Sequence, residues 1–306
     1  MRKAFIQQLV KCAEADPSVS LLMAEVGFSV VEPFQEKFPE RFFNTGIAEM
    51  NMVATAAGMA IDGMRPVCYS MSCFLPSRAF EIIKVSVAYQ DLPVVLVSQG
   101  SGLSYSMLGS THHAIEEANL MKTLPNMTVE FPADGRELQQ TLSYALSQDH
   151  PFYISLPKLP DIPATRGDYA PGKMTCLKKG RDDIVLLAIG YELHHALTAA
   201  DLLEKEGISP SVWALHSVKP LDPDALAAIC AGKHVFVAEE HENFGDTASD
   251  IAKILLMSDT KVQSYHDIAI PDTFVKQVTA YPELLEQYNL APEKLADIIR
   301  KAVNPS

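Results

Sequence analysis

GIAEMNMVATAAGMAIDGMRPVCYSMSCF, residues Gly46–Phe74, carries two different patterns back to back. Ile47–Gly63 is a long, nearly all-apolar run of good helix formers closed by a glycine, which predicts a helix buried on most sides. Pro66–Met71 is a short apolar run between breakers, which predicts a buried strand. Just upstream, RFFNTG (Arg41–Gly46) reads as a strand that ends in a turn. Strand, helix and strand in that order make a βαβ unit, the building block of parallel sheets.

The alternation continues in both directions. Before it lie a helix over Arg2–Asp16, stopped by Pro17, a strand over Val19–Glu25 and a helix over Val30–Phe38. After it come a helix over Ser77–Tyr89, a strand over Pro93–Ser98, and a Gly- and Ser-rich stretch without periodicity, Gln99–His113. A helix (Ala114–Leu124), a strand (Thr128–Phe131), a helix (Gly135–Gln148) and a strand (Phe152–Leu156) complete this half. The stretch PKLPDIPATRGDYAPGK then has the composition of a linker. A second alternation follows, with strands over Asp183–Gly190, Ser211–Leu215, His234–Glu239 and Lys261–Tyr265. Its helices are expected over Tyr191–Gly207, Pro223–Ala231, Thr247–Leu256 and Ala291–Val303. The expected fold is α/β, two tandem doubly wound domains at 1–160 and 181–306 joined by a linker at 161–180. In such sheets ligands sit beyond the carboxyl ends of the strands, which is where Thr45–Glu49 and Gln99–His113 fall.

With 306 residues, 48% hydrophobic and 21% charged, the chain has enough apolar material for two cores. A net charge of −13 excludes a sequence-independent nucleic-acid binder, which needs basic patches against phosphates. No apolar run approaches the roughly 20 residues that span a bilayer, so no membrane segment is expected. Cys12, Cys68, Cys73, Cys176 and Cys230 form no CxxC pair, and the pattern predicts reduced thiols in a cytoplasmic protein.

Glu49 is the only ionisable group between Ile47 and Ile61. A carboxylate in a first helical turn stabilises the helix dipole. A carboxyl against an apolar helix face is also placed to hold or share a proton. Phe74 and Phe80, in CFLPSRAFEIIK (Cys73–Lys84), read equally as core aromatics or as a wall around a ring-shaped ligand. His112 and His113 offer imidazoles in the irregular loop, but no third ligand stands at a useful spacing, so no metal site is expected on this chain.

The Gly46–Phe74 run resembles the pyrimidine-binding domain of the transketolase and deoxyxylulose-phosphate-synthase family. Gly46–Glu49 is similar to its G-[IV]-x-E motif, and Gly102–Asp134 to its G-x-T-H stretch with the following helix and P-N-M. The resemblance covers nearly the whole chain: HSVKPLD (His216–Asp222) and VFVAEEHENFG (Val235–Gly245) are similar to parts of the family's C-terminal domain, read here as a packing and subunit-contact module. It implies thiamine diphosphate as cofactor, with Glu49 on the aminopyrimidine nitrogen and Ile47, Phe74 and Phe80 around the ring. It also implies His112, His113 and Lys158 on the substrate side, and transfer of a two-carbon ketol unit between a ketose and an aldose.

Departures from the family pattern concern the substrate. Leu108 stands where an acidic residue reads a sugar hydroxyl, Gly100 where a histidine stands, and Ser155 about where an arginine grips the sugar phosphate. Lys158 can replace that arginine only as a point charge. The GDG motif that holds the diphosphate and its Mg²⁺ does not occur, and neither IDGM (Ile61–Met64) nor ADGR (Ala133–Arg136) is followed by the expected asparagines. The resemblance therefore implies a partner subunit equivalent to the N-terminal half of a transketolase, which supplies most of the Mg²⁺ site. It further implies a homodimeric core within an α2β2 assembly, acting on a sugar or sugar phosphate. The alternatives are a β-type subunit of a 2-oxoacid dehydrogenase E1 and a non-catalytic, partner-binding paralogue.

Overall fold

The computed structural model describes residues 1–303. Six strands follow one another in the first half: β1 (Val19–Met23), β2 (Phe42–Asn44), β3 (Arg65–Met71), β4 (Val95–Gln99), β5 (Thr128–Glu130) and β6 (Phe152–Leu156). Six more follow: β7 (Thr175–Lys178), β8 (Ile184–Ile189), β9 (Ser211–Leu215), β10 (Ser217–Lys219), β11 (His234–Glu242) and β12 (Ser264–Ile270). They form two sheets, ordered β10-β5-β6-β4-β3-β1-β2 and β12-β11-β8-β9-β7. All pairings are parallel except the edge pairs β10–β5 and β7–β9. The fold is the expected α/β class with two doubly wound sheets.

Strand alternation sorts the core. Val67 and Tyr69 of β3, Val95 and Val97 of β4, and Phe152 and Ile154 of β6 face one side of the first sheet. There they meet Phe5 and Leu9 of the helix Arg2–Ala15 and Leu138 and Leu142 of the helix Gly135–Leu146. Cys68, Leu96 and Tyr153, on the other side, pack against Met52, Val53 and Ala56 of the helix Glu49–Ile61. That second cluster runs on without a break into Val185, Leu187, Leu215 and Val237 of the second sheet.

Several expected elements take a different form. The helix expected over Ser77–Tyr89 is broken into Leu75–Arg78, Phe80–Ile82 and a wider π-turn at Ile83–Ala88, where the Tyr89 N–H reaches back to the Lys84 carbonyl. Residues 161–180, read as linker, contain β7. β10 was not expected, because SVK is too short to show a period. A helix at Tyr281–Gln287 was also missed. The last strand runs over Ser264–Ile270 and not Lys261–Tyr265: it pairs on one side only, so His266 and Asp267 are tolerated within it and obscured its pattern. All five cysteines are unpaired. No helix among the described residues is long and apolar enough to cross a membrane.

Candidate active site

In the first sheet the chain steps from β1 outward to β2 and then returns past β1 to β3. The order reverses between β1 and β3, and the carboxyl ends there open a crevice. The turn after β2 leads into Glu49, the turn after β3 into Phe74, and the end of β4 into the loop that carries His112.

Glu49 opens its helix with Ala48 as an uncapped N-cap. Its side chain is only 4% exposed. The Ser70 hydroxyl, on the face of β3 that meets this helix, donates to Glu49 Oε1 at 3.3 Å. Arg78 Nη1 lies 3.3 Å from Oε1 and 3.2 Å from Oε2. The carboxylate is thus buried on the protein side and answered by one guanidinium that remains 46% exposed.

The Arg78 guanidinium carbon also stands over the Phe74 ring, 4.0 Å from its centroid, because Arg78 follows one helical turn further on. The Phe74 ring meets the His112 imidazole edge-on at 5.4 Å, and His112 meets Tyr105 at 6.2 Å. Lys158 Nζ stands 4.6 Å from the centre of the Tyr105 ring. Glu49, Arg78, Phe74, His112, Tyr105 and Lys158 therefore form one continuous chain of contacts. Thr111 Oγ1 is 2.9 Å from His112 Nδ1, which leaves Nε2 as the nitrogen to face a ligand. The loop holding His112 is tied at its base, where the Ala114 N–H donates to the Gly102 carbonyl at 2.9 Å. Gly102 has φ +57°, and a Cβ there would come within 2.7 Å of Glu240 Cβ, so only glycine fits.

His113 turns inward. It is buried, its Nε2 lies 3.4 Å from the Ser106 carbonyl, and Nδ1 has no partner among the described residues. It lines a cavity of about 390 Å³ together with Ser72, Cys73, Ser110 and Glu117. Glu117 is fully buried, and burial pushes its carboxyl above the usual range although nearby groups pull it back. Those groups include Ser155 Oγ, at 2.8 and 2.9 Å, and the Tyr153 hydroxyl.

Of the residues singled out in the sequence, Glu49, Phe74, His112 and Lys158 thus lie along one path, and His113 lies in the neighbouring cavity. Ile47 stands 75% exposed just before the helix, and Phe80 packs partly buried against the core. Sequence reasoning missed Arg78, Tyr105 and Glu117. Only Arg78 left a signal, four residues after Phe74 in a short helix that Pro76 helps to start.

Two doubly wound α/β domains in tandem, with a buried carboxylate at the switch point of the first, place this chain among the transketolases. It belongs to that family: residues 1–160 match the transketolase pyrimidine binding domain and residues 172–295 the transketolase C-terminal domain. Within the family it is similar to chains that are separate subunits. One of the apulose-4-phosphate transketolase subunits of Actinobacillus succinogenes is 36% identical over 228 residues, covering 74% of this chain and 73% of that one. A solved split-gene transketolase, an inactive beta4 tetramer, is 32% identical with a TM-score of 0.87, over 98% of this chain and 97% of that one. The 1-deoxy-D-xylulose-5-phosphate synthase of Rhodopirellula baltica is 35% identical over 278 residues, 90% of this chain but only 43% of its own length. The chain therefore spans less than half of that relative.

Proposed function

We propose that this chain is the pyrimidine-binding subunit of a thiamine-diphosphate-dependent transketolase, active only with a separate subunit that holds the diphosphate and Mg²⁺. The observation that carries the reading is the Glu49 carboxylate, buried at a helix start in the crevice and adjoining an aromatic ring through Arg78. The residues present fit an aminopyrimidine: a carboxylate for its ring nitrogen, the Phe74 ring for its plane, and a half-exposed cation on the carboxylate. Bound thiamine diphosphate supplies the nucleophilic carbon and electron sink needed to cleave a ketose beside its carbonyl.

The chain's own part is binding and proton handling. Glu49 would hold the ring nitrogen of a bound aminopyrimidine through a proton shared at a carboxylate oxygen. Arg78, half-exposed, would give up its contact with Glu49 to a bound aminopyrimidine. Phe74 excludes water from one side, with Ile47 and Phe80 as further candidates for the pocket wall. His112 Nε2 orients a substrate carbonyl or hydroxyl, and His113 offers a second imidazole to substrate in the adjoining cavity. Lys158, exposed beside Tyr105, offers a cation to a phosphate or sulfonate on the sugar. The exposed apolar side of the Glu49 helix supports a homodimeric core, and α2β2 is the assembly that joins such a core to two diphosphate-holding partners.

The test is coexpression with a diphosphate-binding partner and assay of two-carbon transfer from ketose donors. Wild-type complex should turn over, and Glu49→Gln should lose about 10²–10⁴-fold in kcat. Equal activity of the two complexes would sink the assignment of Glu49. Release of CO₂ from a 2-oxoacid without ketol transfer would place the chain with the dehydrogenases instead.

A further inference from the structure

The second sheet has its own switch point, and the mechanism above does not use it. The chain passes from β8 to β9 on one side and later returns to β11 on the other, so the order reverses between β8 and β11. At those two carboxyl ends lie Glu192, at the start of the helix Glu192–Lys205 after β8, and Glu240, in the last part of β11 past its pairing with β8. His195, one turn along that helix, completes a group. One donor atom from each of the three lies within 4.8 Å of the others.

The charges of this group do not balance. Glu192 is fully buried and Glu240 nearly so. No Lys or Arg pairs with either among the described residues; His195 is the one basic group there hydrogen-bonded to them, its Nδ1 2.9 Å from Glu192 Oε2, while His241, near Glu240, is paired with Glu239. Glu192 Oε1 is buried with no hydrogen-bond partner among the described residues. Two ionised carboxylates facing one imidazole would leave net negative charge out of water, which is costly unless a cation or a proton compensates it. The surroundings are otherwise finished. Glu240 accepts from the Leu103 N–H at 3.1 Å and from the Tyr281 hydroxyl at 2.5 Å. The Tyr191 and Tyr281 rings flank His195 at 6.0 Å each. Beside Glu240 a cavity of about 20 Å³, also lined by Ser101, Tyr191 and His241, has room for one water molecule.

We propose that Glu192, His195 and Glu240 form a divalent-metal site of the zinc class that fastens the second domain to the Gly102–Leu103 base of the His112 loop. Two carboxylates and one imidazole supply three of the donors a zinc ion takes. Donors around one tetrahedral zinc, at about 2.0–2.2 Å, stand roughly 3.3–3.6 Å apart. The observed group needs a closure of roughly one ångström at its widest, while the His195 Nδ1–Glu192 Oε2 pair, hydrogen-bonded at 2.9 Å, opens slightly to admit the ion. The position gives the second domain a direct grip on the loop that carries the substrate-side histidine. It stands independently of the thiamine diphosphate reading.

The full chain, stripped with a chelator and titrated with Zn²⁺ against a chromogenic competitor, should take up one equivalent and melt at a higher temperature. His195→Ala and Glu192→Gln should bind at least on the order of 100-fold more weakly. Equal uptake by all three proteins, or no uptake at one equivalent, overturns the site and leaves a shared proton as the compensating charge. Far-ultraviolet circular dichroism checks that the variants fold. If they do not, Co²⁺ added to the wild-type chain still decides: oxygen and imidazole ligation gives visible d–d bands alone. A sulfur-to-cobalt charge-transfer band would move the metal to a cysteine and overturn the proposal.

Discussion

Asp134 shows how much a single buried carboxylate can organise. It caps the helix Gly135–Leu146 through the Glu137 N–H at 2.9 Å, and it accepts from the N–H groups of Ala164 and Thr165 at 2.8 and 2.6 Å and from the Thr165 hydroxyl at 2.7 Å. Burial opposes its charge, but the four donors prevail and hold the carboxyl below its ordinary range. A group depressed in this way adds stability above its unfolded pKa and loses it as pH falls through the lower folded value. Asp134→Ala should therefore cost about 2–4 kcal/mol at pH 7, read by urea unfolding, with the gap to wild type narrowing toward pH 3. An unchanged midpoint at pH 7 would contradict this account. At this scale the sequence was partly legible. Glu49 stood out as the lone charge in an apolar helix. Arg78 did not, because its partner lies 29 positions away and a helical arginine reads as solvated. Glu192 and His195 show an i, i+3 spacing, but only the fold brings Glu240 to them.

The Glu49 helix is an element with two apolar sides. Met52, Val53, Ala56, Ala57 and Ala60 are buried against the sheet, while Met50 and Ile61 on the opposite side are 52% and 63% exposed, with Val85 exposed nearby. Exposed apolar residues gathered on one helix mark a surface that binds something. If it pairs with a second copy, Met50→Asp with Ile61→Asp should lower the mass measured by light scattering toward one chain. The melting temperature of the monomer should stay within a few degrees, since neither side chain is in the core. An unchanged mass would remove this helix from the interface. Helices and strands with one clear period were legible to within a few residues, and Phe152–Leu156 and Ser211–Leu215 matched their expected limits. The broken helix after Phe74 was not, because a π-turn changes which residues hydrogen-bond without changing composition. The three-residue β10 takes its strand form from its partner β5 alone.

Across the whole molecule, His216 is the titratable group that binds the parts together. Its Nδ1 meets Glu137 at 3.0 Å and its Nε2 meets the Ala170 carbonyl at 3.1 Å, so both nitrogens donate and the ring is cationic. Burial works against that charge, but Glu137 and then Glu130 outweigh it and raise its pKa to about 9. A raised histidine adds stability in full below its unfolded value of 6.5 and loses it as pH rises through the folded value. Glu130, pushed up to about 7 by burial, acts in the same direction at lower pH. The unfolding free energy should therefore fall between pH 6.5 and 9, by up to about 3 kcal/mol, and His216→Gln should flatten that slope. A wild-type curve that is already flat would refute the clamp. Two domains were legible from the sequence, but their union was not. It rests on contacts such as this one and on β10, which leaves the second domain's sequence to complete the first domain's sheet. With that borrowed strand in place, the covalent crossing between the halves should be dispensable once the chain has folded. Trypsin cutting at the exposed Arg166–Gly167 bond should yield two fragments that still migrate as one particle and part only in denaturant.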